Sequence, residues 1–159
     1  MCSSDLGASV GDHDLVHKVA VERGMNLGFY KIAMQPGKPL MAGKMNGVPL
    51  VGLPGNPVSS MVCGHIFLRP MLDVMLGFPP SPLSRETGKL TKDIRKNGSR
   101  EHYMRAIVKN SGSENQITPF DRQDSSLLTI FGQSNALLVR PPNGEPLRKG
   151  VPVEFVRIS

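Results

Sequence analysis

The first half of the chain alternates between helical and strand-like spacing of its apolar residues. Four apolar residues share one face of a helix: Leu15, Val16, Val19 and Ala20. Asp12 can cap this helix and Gly24 can end it. The apolar run 27–34 then predicts a strand.

Two further apolar runs, 39–45 and 48–53, are separated by Asn46-Gly47. This dipeptide is the strongest short signal for a β-hairpin, because both of its residues accept a positive φ. The sequence therefore predicts two antiparallel strands.

A long helix is predicted from Pro57 to about Leu76. Pro70 is expected to kink it, since proline lacks the backbone N–H that a helix needs, and Gly77 is expected to end it. With the preceding strands, this helix makes the first half α/β.

The second half has a different pattern. Proline is dense in 78–86, which predicts a semi-rigid linker between domains. After it, one helical turn is expected in 125–131, and short strands are predicted at 87–94, 101–109, 116–120, 136–140 and 151–158. The expected domain organisation is an unstructured start or scar at 1–6, an α/β domain at 7–77, the linker, and a small all-β, barrel-like domain at 87–159.

Composition narrows the classes of function. The chain has 159 residues and a formal net charge of +6, which suits an anionic ligand, nucleic acid or an acidic membrane surface. It has no Trp and only two Tyr, which argues against stacking on single-stranded nucleic acid. Two cysteines make no disulfide framework, and no apolar segment has the length of a membrane span, so we expect a cytoplasmic protein.

The segment 48–60 carries the clearest chemistry. Asn56 suits an N-cap and Pro57 the first helical position, so the amides of Val58, Ser59 and Ser60 are expected to point outward as an anion socket, with the two serine hydroxyls as further donors. The alternative is a helix start capped for stability alone. Just upstream, Lys38 lies in the stiff loop 36–39, where a lysine would favour a small oxyanion.

Three motifs occur in the order and spacing of one family. Residues 7–14 resemble its Gly-Gly-x-Ser-x-Gly-x-x-Asp, residues 36–39 its Pro-Gly-Lys-Pro, and residues 52–59 its Gly-Leu-Pro-Gly-Asn-Pro-Val-Ser. Three later segments resemble its closing β domain: 100–101, 123–126 and 136–141. The family is that of the molybdenum insertases, or molybdopterin molybdenumtransferases, which includes bacterial MoeA and the E domain of gephyrin.

The resemblance implies a fold and a function. Residues 7–77 would be part of a molybdopterin-binding domain similar to MogA and MoaB, and 87–159 the C-terminal β domain. Members of the family are homodimers that insert molybdate into adenylylated molybdopterin with Mg²⁺ and release AMP. The implied partners are therefore small-molecule substrates and a second copy, without a membrane or nucleic acid.

The resemblance also implies roles for single residues. Asp14 matches the catalytic carboxylate that holds the cation, a chemistry that suits Mg²⁺; by itself it could equally be a charge that stabilises a helix start. The residues that match cofactor-binding positions are Gly7, Ser9, Gly11, Pro54, Gly55, Asn56 and Pro57. Those that match molybdate-binding positions are Lys38, Ser59, Arg100 and Ser125.

The sequence departs from the family in three ways. Leu6 replaces the first glycine of the first motif, and Gln35 stands where many members have a basic residue. The family's N-terminal domains and the leading half of the molybdopterin domain have no counterpart, so we expect an incomplete enzyme.

Two other classes of function remain open from the residues. One is a binding fragment that holds a pterin phosphate or an oxyanion without turnover. The other is a basic β module that binds RNA, which the scarcity of aromatic residues disfavours.

Overall fold

The computed structural model describes residues 15–81, 83–112, 114–124 and 127–158. Its helices are α1 (Leu15–Glu22), α2 (Pro57–Cys63), α3 (Arg69–Met75) and α4 (Leu128–Gln133), with a π-helical segment at Gly64–Leu68 between α2 and α3. Its strands are β1 (Asn26–Tyr30), β2 (Met34–Gln35), β3 (Met41–Met45), β4 (Val48–Gly52), β5 (Glu86–Leu90), β6 (Glu101–Ser111), β7 (Glu114–Pro119), β8 (Ala136–Arg140) and β9 (Pro152–Arg157). The predicted start or scar at 1–6 lies outside the described residues.

The predicted hairpin is confirmed. β3 and β4 pair antiparallel from Met45↔Val48 to Met41↔Gly52, and β1 adds to β3 to complete a three-stranded antiparallel sheet. Asn46 and Gly47 have φ values of 51° and 80°. Both turn residues are therefore in the left-handed region that a tight hairpin requires.

The prediction of one strand over 27–34 is wrong. The chain turns at Lys31, where φ is 65°, and its amide donates to the Leu40 carbonyl at 3.0 Å. β1 and β2 consequently belong to different sheets. The apolar run had concealed a backbone reversal that the carbonyl of a later residue stabilises.

The long helix runs from Pro57 to Met75 as α2, the π-helical segment and α3. At Arg69 the backbone N–H bonds to the Gly64 carbonyl, five residues back, immediately before Pro70. Proline cannot donate to the carbonyl four residues earlier, so the wider π turn precedes it. The predicted end is confirmed: Gly77 has φ 92°, and its amide and that of Phe78 bond back into the last turn.

The second half closes five strands into a ring, β6-β7-β5-β9-β8, because β6 pairs with both β7 and β8. A small β domain was predicted, and the strand 136–140 has its predicted bounds. The predicted strand 87–94 is too long: β5 ends at Leu90, and Ile94 makes only an isolated bridge to Leu147. The residues after β5 form a loop at one end of the ring.

The two halves share a hydrophobic core. β2 pairs in parallel with the start of β6, Met34↔Glu101 and Gln35↔His102. One buried cluster combines residues of both halves: Met34, Leu40, Val58, Val62, Cys63 and Ile66 with Tyr103, Phe131, Leu137, Val139 and Val156. The predicted domain boundaries stay a prediction, but the structure packs both halves against one another.

The predicted apolar face of α1 is only partly used. Ala20 is buried against Met25 and Met41, whereas Val16 and Val19 are exposed. Helical spacing marks residues that can share a face, but only part of that face is buried here. Within that same part of the chain, no helix has the length and apolarity to cross a bilayer.

Candidate oxyanion site

The start of α2 is capped from within. The Asn56 side-chain oxygen accepts from the Ser59 amide at 3.1 Å and from the Ser59 hydroxyl at 3.3 Å, and the Asn56 carbonyl accepts from the Ser60 amide at 2.9 Å. The Ser60 hydroxyl donates to the Pro54 carbonyl. The predicted N-cap is confirmed, but the expected socket of free amides and hydroxyls is wrong at Ser59 and Ser60, because these donors are used inside the cap.

The loop 36–39 packs on the face of α2. Gly37 has φ 123°, and a Cβ at this position would lie 2.7 Å from the Cys63 sulfur and 3.4 Å from a Met34 methyl carbon. Glycine is therefore required both for its backbone conformation and for the close approach of loop and helix. Burial raises the pKa of the Cys63 thiol to about 12, so Cys63 serves packing and is not a thiolate nucleophile at neutral pH.

Lys38 projects from this loop into solvent. Its side chain makes no ion pair or hydrogen bond with any described residue. Its carbonyl, however, accepts from the Ile32 amide at 3.0 Å, so the backbone that carries the lysine is held. A free cation on a fixed backbone is available to an anionic ligand.

Arg100 links the barrel to β2, which immediately precedes this loop. Its guanidinium donates to the Met34 carbonyl at 3.4 Å and to the Gln35 side-chain oxygen at 3.2 Å, and the neighbouring Glu101 amide donates to the Ala33 carbonyl at 2.9 Å. These bonds involve two of the five N–H donors of an arginine. Gln35 therefore orients the Arg100 guanidinium, a role that the sequence had not indicated.

The segment before and after residues 125–126 is held by Arg105. Gln123 accepts from the Arg105 amide at 2.9 Å and donates to the Arg105 carbonyl at 3.0 Å, while the Arg105 guanidinium donates to the Leu127 carbonyl at 3.2 Å. Burial lowers the pKa of Arg105, and the nearby Asp124 opposes that shift. Sequence analysis missed Arg105, and no local signal could have identified it, because its partners lie about twenty residues away.

The structure thus brings together part of the expected site. Lys38 and Arg100 lie on segments that meet at Gln35, and α2 contacts the loop where Cys63 approaches Gly37. The expected residues at the start of α2 are Pro54, Gly55, Asn56, Pro57 and Ser59. Ser59 is buried, and within the described residues both its amide and its hydroxyl donate to the Asn56 side chain. The remaining expected residues, Gly7, Ser9, Gly11, Asp14 and Ser125, lie outside the described residues, so their roles stay predictions.

The expected Mg²⁺ site is tested only in part. Among the described residues, no group of three His, Cys, Asp or Glu side chains is arranged to hold a metal ion. Asp14, the carboxylate assigned to the cation, is not among them. The assignment of Mg²⁺ to Asp14 therefore remains a prediction.

Comparison with known proteins assigns both halves. Residues 7–74 match the family model of the probable molybdopterin binding domain, and residues 87–158 match that of the MoeA C-terminal region, domain IV. The chain is therefore a two-part protein that joins a molybdopterin-binding type of domain to a MoeA-type β domain.

Relatives with the same arrangement support this assignment. The chain is 32% identical over 140 residues to molybdopterin molybdenumtransferase 2 of Mycobacterium tuberculosis, covering 85% of this chain and 34% of the relative. It is 29% identical to the molybdopterin molybdenumtransferase of Bacillus subtilis, covering 96% and 35%. The crystal structure of the molybdopterin biosynthesis MoeA protein of Pyrococcus horikoshii superimposes with a TM-score of 0.73 at 27% identity, over 95% of this chain and 36% of that one.

The chain belongs to the molybdopterin molybdenumtransferase (MoeA) family, and it corresponds to the C-terminal portion of its members. It spans about a third of the length of the curated relatives that it matches.

Proposed function

We propose that this chain is the oxyanion-binding part of a molybdopterin molybdenumtransferase, acting in molybdenum cofactor biosynthesis. The reaction is the insertion of molybdate into adenylylated molybdopterin with release of AMP. The observation that carries the proposal is the junction at Gln35, where Arg100 is hydrogen-bonded to β2, immediately before the loop 36–39 that presents Lys38. The proposal includes the homodimer and the Mg²⁺ at Asp14 that the family resemblance implies.

The chemistry of this junction suits a tetrahedral dianion. Molybdate must approach a substrate that is itself negatively charged, so the main obstacle is electrostatic repulsion. Lys38 supplies a mobile ammonium group, and Arg100 supplies a planar guanidinium whose direction is fixed by two hydrogen bonds. Both groups offset the charge of molybdate, and the fixed guanidinium orients it without reorganising during the reaction.

Gln35 adjusts the strength of this site. A neutral amide here adds no charge, but its oxygen holds one end of the Arg100 guanidinium at 3.2 Å. A second cation at position 35 would repel Arg100. We therefore propose that Gln35 makes the site less attractive to molybdate than a basic residue would, but keeps the Arg100 guanidinium better ordered.

Calorimetric titration of the chain with molybdate tests the binding part of the proposal. Lys38→Ala and Arg100→Ala are each expected to weaken binding roughly tenfold or more, since a hydrogen bond to a charged group contributes about 1.5–3 kcal/mol. Lys44→Ala is the matched control, because Lys44 is an exposed lysine on the β3 hairpin strand. Equal weakening in all three variants would show that molybdate responds only to net charge, and would contradict the proposal.

A turnover assay tests the reaction itself. Formation of molybdenum cofactor from adenylylated molybdopterin and molybdate is measured with the chain alone and with a protein completed by the family's N-terminal domains. In the completed protein, Asp14→Asn is expected to abolish formation while pterin binding persists. Molybdate binding without turnover in the unmodified chain would instead favour the non-catalytic binding fragment. A gel shift with RNA that weakens steeply with salt would favour the RNA-binding class over both.

A further inference from the structure

A cavity lined by basic residues lies at one end of the strand ring. Its volume is about 500 Å³, and it is bounded by the loop 92–97, by His102 and Met104 of β6, by the end of β7 and by Arg140 of β8. Barrel mouths are common positions for small-ligand sites, and this volume is within the usual range for them.

The cavity lining continues the inward-facing rows of side chains on β6 and β8. Ala106 and Val108 of β6, with Ala136 and Leu138 of β8, belong to the buried cluster inside the ring. Side chains two residues apart point to the same side of a strand, and the same rows end in residues 102 and 104 of β6 and 140 of β8. His102 and Arg140 are also paired across the two strands. The apolar interior therefore ends in a polar, basic floor.

The carboxylates of the cavity already have partners. Asp121 forms an ion pair with Lys92 at 2.5 Å. Asp93 accepts from Arg148 at 2.8 Å and from the Lys149 backbone amide at 2.8 Å. Neither carboxylate is therefore left to neutralise the remaining cations.

Two arginines of the cavity lack a carboxylate partner among the described residues. The side chain of Arg95 makes no ion pair or hydrogen bond with any of them. Arg140 is 2% exposed, its guanidinium donates only to the neutral carbonyls of Arg95, Gly144 and Glu145, and its Nε has no hydrogen-bond partner. An unpaired charged donor at this depth is costly, and an anion in the cavity would offset that cost.

The lowered pKa of His102 also indicates that the cavity favours an anion. Burial, followed by the positive charges of Arg100, Arg105 and Arg140, lowers the pKa of His102 to about 4. Three arginines thus impose a positive potential on the floor of the cavity. A neutral imidazole can still donate one hydrogen bond to an oxygen.

We propose that the barrel mouth is a binding site for a tetrahedral oxyanion, such as a phosphate group or molybdate. Arg95 supplies the free charge at the rim, Arg140 supplies the buried charge beneath it, and His102 supplies a neutral donor on the floor. This site is separate from the loop site at Lys38 and does not depend on the function proposed above.

Titration with inorganic phosphate at constant ionic strength, followed by NMR of the His102 imidazole, tests the proposal. The His102 resonances, assigned with His102→Gln, are expected to shift saturably, and the pKa of His102 is expected to rise because the anion opposes the arginines. Molybdate and AMP are titrated in parallel. If phosphate, molybdate or AMP binds more tightly than the other two, that compound is the preferred ligand. If all three bind equally, the site recognises any tetrahedral oxyanion group.

Paired variants locate the site. Arg95 and Lys96 are exposed side chains of the loop 92–97. The double variant Arg95→Gln with Lys96→Gln is expected to weaken phosphate binding at His102 about tenfold or more. Arg23→Gln with Lys109→Gln removes the same charge away from the cavity and is expected to change binding less than twofold. Lys38→Ala is expected to leave the His102 response unchanged, which separates this site from the loop site. An absent saturable shift, or equal weakening in both double variants, would overturn the proposal.

Discussion

The two halves of the chain cover their apolar residues to very different degrees. Of the large hydrophobic residues that are strongly exposed in the described part of the chain, all but Leu128 lie at or before Phe78. The ion pairs show the opposite distribution, since every one between described residues lies between Arg85 and Arg157.

The difference follows from topology. A closed ring of strands turns one face entirely inward and has no free edge, so its outer surface can be charged. A three-stranded sheet with helices beside it cannot enclose its own apolar faces, and α1 and α3 keep apolar side chains in solvent. We therefore expect the barrel half to contribute most of the stability of this chain.

The largest expected effect compares two phenylalanines. Phe155 is 0% exposed inside the ring, whereas Phe78 is 61% exposed just after α3. Phe155→Ala is expected to lower the free energy of unfolding by about 3–5 kcal/mol through a cavity in the core, and Phe78→Ala by less than about 0.5 kcal/mol. Denaturant unfolding measures both. Similar losses would contradict the contrast between the halves.

Local signals predicted the hairpin and both ends of the long helix. Asn46-Gly47, Asn56-Pro57 and Gly77 each act on the backbone within a few residues, so a sequence reveals them directly. Strand 136–140 was equally visible as a short apolar run between turns.

Contacts between distant segments could not be predicted from the sequence. β2 is only two residues long, and its parallel pairing with β6 joins residues 67 positions apart. The Arg100–Gln35 hydrogen bond depends on that pairing, and the hydrogen bond from Arg105 to the Leu127 carbonyl depends on closure of the ring. The prediction that Ser59 and Ser60 offer free donors to an anion was wrong for another reason. The hydrogen bonds that cap the start of the helix already use those donors.

A second test examines the barrel half by pH. The pKa of His102 is lowered to about 4 in the folded chain, against about 6.5 when unfolded. The unfolded state therefore binds the proton more readily. The contribution of His102 to the free energy of unfolding is fully present above pH 6.5 and falls progressively as the pH drops towards 4. The expected loss is about 2–3 kcal/mol.

Denaturant unfolding between pH 7 and pH 4 measures this loss, with His102→Gln as the matched variant because its amide does not titrate. The difference in pH dependence between the two proteins isolates the imidazole. Identical pH profiles would mean that neither burial nor the arginines around His102 lower its pKa in the folded chain.

A third test concerns a tightly packed contact of the first half, the one between Gly37 and Cys63. Gly37→Ala adds a Cβ 2.7 Å from the Cys63 sulfur at a positive φ, and is expected to cost about 2 kcal/mol. Gly47→Ala is the control, since Gly47 has φ 80° but nothing within 4 Å of the added carbon, and is expected to cost about 1 kcal/mol. Thermal unfolding measures both variants.

The Cys63→Ala background sharpens this comparison. Removing the sulfur provides space for the new methyl group, so the extra cost of Gly37→Ala over Gly47→Ala is expected to disappear. If that extra cost persisted, the loop would be held by something other than its contact with α2, and Lys38 would lose the physical basis of its fixed position.

The smallest expected effect concerns the charged surface of the barrel. Lys89 and Glu114 form an ion pair at 2.7 Å, but their side chains are 54% and 53% exposed. Water and salt screen such a pair, and ordering two long side chains costs entropy, so a double-mutant cycle to alanine is expected to give a coupling energy below about 1 kcal/mol. The ring would then owe its stability to its enclosed apolar residues, and its ion pairs would matter for the surface alone. A coupling of several kcal/mol that survives high salt would reverse that order, and the contrast between the halves would become one of charge pairing instead of enclosure.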